Sequence, residues 1–212
     1  IEVQLYNASA ETITASTQTD LIDTSDLYAG GTGTASDPYR ITNWTHLNNT
    51  RENLDANFKL VADLNDSTAG YGKAVATPQR GFVPIGSFSP SPDGDVESEP
   101  FTGSFDGQSH TVSDLKINQS QSNRFSVTPS YFSVGLFGYI GDNGEVEHVG
   151  VENSTVAGSV AGGLVGVVEN GSVRESYATG NVSSRTSGGF TVSGGLVGGV
   201  INGSVTESYA TG

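Results

Sequence analysis

The most regular pattern of apolar and polar positions lies in residues 131–212. Residues 163–180 read GLVGVVENGSVRESYATG and residues 195–212 read GLVGGVINGSVTESYATG, identical at fifteen of eighteen positions and offset by 32 residues. A degenerate copy, Gly135-Leu136-Phe137-Gly138, precedes Gly163 by 28 residues. Self-similarity at this period marks a solenoid, in which each repeat covers its neighbour's apolar face. The unit is built from Val, Gly, Ser and Thr, which predicts stacked β-coils and not helix pairs.

Upstream the pattern is less regular. In residues 1–28, Val3, Leu5 and Ile13 sit among polar residues with partial alternation, predicting an extended arm able to pair along a sheet edge. Gly30-Gly31-Thr32-Gly33 and Asp37-Pro38-Tyr39 then punctuate the chain and open the folded body. Residues 43–54 predict a helix with Asn43 as N-cap and Trp44, Leu47, Arg51 and Leu54 on one face. This amphipathic helix suits a cap over the open first coil, with Trp44 in the cap's core. Strands are predicted over 58–64, 81–88, 101–107 and 110–117, the last two around an Asp-Gly turn. Between them lie a Gly- and Ala-containing loop at 65–80, an acidic loop at 89–100 and a polar insertion at 118–129. The division expected is an arm at 1–28, a capped solenoid portion with one helix at 29–130, and repeats at 131–212.

Taken in order, GGTGTASDPYRI, the cap helix, FKLVADLND, FVPIG, FTGSFDGQSHTVSDLKI, VGLFG and then GGLVG with SYATG resemble the GLUG-motif repeats of microbial surface proteins and adhesins. The likeness covers residues 30–212 and is sharpest in the last two motifs. It implies an all-β fold, a right-handed parallel β-solenoid (β-helix) with an N-terminal cap. It also implies stalk or surface architecture without catalytic residues. The chain departs from the pattern in its polar insertions at 89–100, 118–129 and 185–192.

Composition changes the picture in three ways. Acidic residues outnumber basic ones 23 to 9, for a formal charge of −14, which excludes a basic nucleic-acid footprint. With only three Lys, this suits either adaptation to high salt or an ordinary acidic secreted protein. There is no cysteine, so stability must come from stacked coils and ladder hydrogen bonds. There is also no apolar run long enough to cross a membrane. Finally, nine of the fourteen asparagines lie in Asn-x-Ser/Thr sequons: Asn7, Asn43, Asn48, Asn65, Asn118, Asn153, Asn170, Asn181 and Asn202. That density predicts an exported chain carrying N-linked glycans at some of these sites. Asn170-Gly171 and Asn202-Gly203 also spell tight turns, which would stack about 5 Å apart on adjacent coils and crowd two glycans.

Candidate chemistry is sparse. Gly163, Gly166, Gly195 and Gly198 lack the Lys and following helix of a phosphate loop, and read as coil corners needing positive φ or close approach between coils. His46, His110 and His148 are isolated, with no zinc-protease pairing. Asp106 and His110 stand near each other as a turn aspartate and a strand residue. Asp93, Asp95 and Glu97, alternating around Gly94, could gather oxygens around Ca2+, with Asp142, Asn143, Glu145 and Glu147 a weaker second cluster. A solvated acidic loop is the simpler reading of both sets. Glu175 and Glu207 recur at one repeat position, facing water or sharing a cation. Tyr177 and Tyr209 recur beside Ala178 and Ala210, predicting an internal aromatic stack. The expected function is a non-enzymatic extracellular structural protein, a cell-surface adhesin stalk or a filament subunit built by head-to-tail contacts. Its partners would be further copies of itself or a host or neighbouring cell surface. The repeat runs to Gly212 without a polar cap, and solenoids need caps; the competing explanation is a fragment of a longer surface protein. The alternative from a different class is a carbohydrate-binding or carbohydrate-cleaving β-helix.

Overall fold

The computed structural model describes residues 5–6, 12–13, 27–75, 81–90, 96–118, 133–184 and 191–212. At the start, β1 (Leu5–Tyr6) and β2 (Thr12–Ile13) pair antiparallel with each other. The body opens with β3 (Tyr39–Ile41), helix α1 (Trp44–Asn49), β4 (Asn57–Leu60) and a short helix α2 (Tyr71–Ala74). An antiparallel hairpin follows, β5 (Ser87–Pro90) with β6 (Val96–Glu99). Next come β7 (Ser104–Asp106), β8 (Thr111–Ser113) and β9 (Lys116–Asn118). Three coils of four strands complete the chain. They are β10 (Ser133–Val134), β11 (Phe137–Ile140), β12 (Glu145–Glu147) and β13 (Gly150–Gly158); then β14 (Val160–Gly162), β15 (Val165–Glu169), β16 (Ser172–Arg174) and β17 (Tyr177–Ser184); then β18 (Val192–Gly194), β19 (Val197–Ile201), β20 (Ser204–Thr206) and β21 (Tyr209–Thr211).

Strands holding the same place in successive coils pair in parallel, as expected of stacked repeats. The walls run β20-β16-β12-β7-β4-β3, β21-β17-β13-β8, β19-β15-β11 and β18-β14-β10, with β9 also on β13. Period-2 alternation along each strand turns one residue in and the next out, so inward positions line up through the stack. Phe58, Phe105, Val146, Val173 and Val205 form one such column. Val112, Val151, Ala178 and Ala210 form another. Within these columns Phe58, Phe105, Val112, Val146, Val151, Val173 and Ala178 are fully buried. Burying a Val or Phe side chain stabilises by about 1.5–3 kcal/mol each, so the columns are the main source of cohesion in a chain without disulfides.

The helix forms where its capping residue places it. Asn43 Oδ1 accepts from the His46 N–H at 2.9 Å, and Trp44 and Leu47 are buried. The α-helix is shorter than the predicted span: it tightens into a 3-10 turn at Thr50–Glu52. Trp44 Nε1–H donates to the Asn65 carbonyl at 2.9 Å, and the ring packs against Tyr71 and Phe82. Tyr28 is buried, stacked on Tyr39 at 4.2 Å.

The structure corrects several expectations. The corners with positive φ belong to Asn143, Asn170 and Asn202 ahead of β12, β16 and β20, and to His148, Glu175 and Glu207 ahead of β13, β17 and β21. Of the two roles expected of Gly163, Gly166, Gly195 and Gly198, the structure shows close approach. A Cβ on Gly166 would stand 2.6 Å from both the Gly138 carbonyl oxygen and the Val134 amide nitrogen. The stretch 65–80 contains α2 rather than loop alone. Around the Asp-Gly turn there are three strands, and they pair with neighbouring coils, not with one another. Tyr177 and Tyr209 do stack, at 5.3 Å with planes 6° apart. They lie outside, however: Tyr177 is half-buried and Tyr209 is 57% exposed, while Ala178 takes the inward position.

Candidate functional site

The two ends of the stack differ. At the β3 end the outer edge is occupied, since Ala29 N–H donates to the Arg40 carbonyl and Arg40 N–H to the Gly30 carbonyl, both at 2.9 Å. At the other end β18, β19, β20 and β21 are each outermost in their walls. Val200 extends the column of Ile140 and Val168, and Val205 that of Val146 and Val173. Those four predecessors are fully buried, whereas Val200 is 47% and Val205 37% exposed. A gap also opens beside β17. Gly180 to Ser184 pair with β13 on one side, while β21 reaches only Thr179 on the other. The resulting cavity, of about 400 Å3, is lined by Gly180, Val182, Ser193, Gly195, Ala210 and Gly212 among others.

A second constellation lies on the outer corner joining the first two walls. His148 Nδ1 faces Asp106 Oδ1 at 3.1 Å and Glu147 Oε2 at 3.7 Å, while Nε2 faces Glu175 Oε2 at 3.4 Å. Arg174 Nε–H donates to Glu147 Oε2 at 2.6 Å, and its guanidinium also lies 3.9 Å from Glu145. Partial desolvation opposes the imidazolium, but the hydrogen bond to Asp106 and the charges of Glu147, Asp106 and Glu175 outweigh it and raise the His148 pKa. Asp106 thus finds its histidine on the next coil, and His110 pairs with Asp63 at 3.0 Å. The Asp63 carboxyl is held below its usual range, chiefly by the Thr111 backbone N–H and then by His110. Asp106 and His110, neighbours in sequence, each take a partner elsewhere, because stacking brings together residues about one coil apart.

The remaining candidates are scattered. Asp93 and Asp95 of the calcium expectation lie outside the described residues, and Glu97 is described only as backbone in β6. Of the second acidic cluster, Asp142 accepts from Asn170 Nδ2 at 2.7 Å, and Glu145 and Glu147 turn to Arg174. Glu175 serves His148, and Glu207 is exposed. Among the sequons, Asn65, Asn118, Asn153, Asn170, Asn181 and Asn202 are exposed. Asn43 caps α1, and Asn48, half-buried, accepts from Arg51. Asn7 lies outside the described residues.

Comparison with known proteins adds to this geometry. Residues 157–183, the end of β13 through β17, match the family described as the GLUG motif. The chain carries a GLUG motif. The chain also aligns with larger proteins. Halomucin of Haloquadratum walsbyi is 32% identical over 156 residues, 72% of this chain and 2% of halomucin. A protein of Evansella cellulosilytica, named as a Gly-rich membrane protein, is 31% identical over 159 residues, 70% of this chain and 16% of that protein. The chain therefore spans only a small part of either relative. Among solved structures, a chain named as an immunoglobulin A1 protease of Bacteroides ovatus superposes with a TM-score of 0.52 at 21% identity, covering 88% of this chain and 60% of that one. That likeness is one of fold. No helix among the described residues is long and apolar enough to cross a membrane.

Proposed function

We propose that the chain is a non-enzymatic structural segment of an exported surface protein, a stalk or filament element lengthened by seating a further β-coil on β18–β21. The observation that carries this reading is the pair of apolar columns that run buried through the stack and surface at Val200 and Val205. Outermost parallel strands present a row of backbone donors and acceptors, the template on which another strand adds. The solenoid takes the right-handed course favoured for parallel crossover connections, and α1 covers the first coil. Export and N-glycosylation fit the density of sequons, and the name of one aligned relative, a Gly-rich membrane protein, supports a location at the cell envelope.

The end-covering reading is tested by sedimentation velocity of the full chain over a range of concentrations and salt. Self-association is expected, and it is expected to disappear in V200K and V205K, with circular dichroism confirming retained strand. A native chain that stays monomeric throughout would sink the assembly reading. The outward Tyr177–Tyr209 pair is the feature that speaks for a carbohydrate-binding role instead; binding on a glycan array that Y209A abolishes would favour it.

A further inference from the structure

The corner cluster has the geometry of a metal site, and it is independent of how the coil end is covered. One nitrogen and two carboxylate oxygens, from Asp106 at the end of β7, Glu147 at the end of β12 and the adjoining His148, all lie within 4.8 Å of one another. Ligands about 2.1 Å from a tetrahedrally coordinated ion are about 3.4 Å apart. The two edges at Nδ1, 3.1 Å to Asp106 and 3.7 Å to Glu147, bracket that value. The far side of the ring is arranged as well. Nε2 faces the Glu175 carboxylate at 3.4 Å, and a carboxylate on the second nitrogen is how a ligating imidazole is usually oriented.

We propose that Asp106, Glu147 and Nδ1 of His148 bind a divalent transition cation of the Zn2+ class, with Glu175 holding the imidazole from Nε2. The imidazole sets the class: Ca2+ and Mg2+ take all-oxygen shells, whereas one imidazole with carboxylates suits Zn2+ and its neighbours. Arg174 is the built-in competitor, because its Nε holds the same Glu147 oxygen at 2.6 Å. Cation binding moves the guanidinium toward Glu145, already 3.9 Å away. Since Asp106, Glu147 and Glu175 lie on three successive coils, the bound ion would act as an external staple along the stack.

Calorimetric titration of the full chain with Zn2+ alone, and the visible spectrum with Co2+, test this directly. One saturable site per chain is expected. Affinity is expected to fall at least tenfold in D106N and in H148N, where Asn tolerates the left-handed corner at φ 51°. E175Q should weaken binding by about tenfold, as loss of an orienting carboxylate does, and R174Q should tighten it. H110N, on a different carboxylate, should bind as the native chain does. The proposal is overturned if the native chain shows no saturable uptake, or if H148N and D106N bind Zn2+ as tightly as it does.

Discussion

Tyr177 lies against Gly150, and the missing side chain makes the room: a Cβ there would stand 2.4 Å from the ring. The phenol reaches Glu152 Oε1 at 2.6 Å, and that hydrogen bond, followed by desolvation, pushes its pKa up to about 12. An unfolded tyrosine ionises near pH 10, so the folded state favours the neutral phenol. The resulting stabilisation is whole below about pH 10 and is lost as pH rises toward 12, reduced in size by the half-exposed setting. Tyr139, desolvated by burial and beside Glu169, is likewise pushed up to about 12, so absorbance titration should show a late tyrosinate step that Y177F reduces, and Y177F should flatten the fall of Tm over that window. Asn43 gives a second residue-scale test. Replacing this N-cap by Ala should cost about 1 kcal/mol in urea unfolding, the usual loss for such a cap. Because its amide is engaged at the helix start, glycopeptide mass spectrometry should find Asn43 bare and glycans at exposed sites such as Asn65 or Asn181.

Among the elements, the β5–β6 hairpin is an excursion from a wall that closes without it. Ile85 bridges to Phe137 and Phe101 to Ile140, both in parallel, so Ile85-Gly86 and Pro100-Phe101 flank the hairpin at consecutive places on one ladder. Deleting residues 87–99 leaves Ile85-Gly86-Pro100-Phe101 opposite Phe137-Gly138-Tyr139-Ile140. The shortened chain should keep its strand circular dichroism and a cooperative melt; loss of both would mean that the Phe88–Tyr139 contact is needed to hold the wall. The sequence displayed an insertion here, but not that its ends were in register, because register depends on the coil beneath. The same limit applies elsewhere. The GLVG and SYATG repeats and the Asn43 cap were legible since their signals are local and periodic. β3, three residues after a proline, was hidden by its brevity. The His148 cluster was hidden because Asp106 stands 42 residues before its partner, a separation meaningful only once the coils are stacked. The outward tyrosines were misjudged because Gly150, which makes their shelf, lies on another coil.

For the molecule as a whole, a formal charge of −14 on 212 residues means self-repulsion that salt should screen, so Tm should rise between about 0.1 M and 1 M salt, where the screening length falls from roughly 10 to 3 Å. A fall would show that ion pairs such as Arg174–Glu147 dominate instead. Screening also lowers the barrier to stacking one acidic coil on another, which joins charge to the exposed end. The stack supplies its own control for that end, because β14–β17 and β18–β21 share nearly the same sequence but differ in whether a coil covers them. Hydrogen exchange should thus be slow in β15–β17 and fast in β19–β21, the difference arising from cover and not from composition. Appending a second copy of residues 181–212 after Gly212 places a coil over Val200 and Val205. Covering these two half-exposed valines should add on the order of 1–2 kcal/mol, slow exchange in β19–β21 to the level of β15–β17, and transfer the fast exchange to the appended strands. If exchange in β19–β21 stays fast beneath the added coil, the columns are not what binds one coil to the next, and the stacking account of this protein fails.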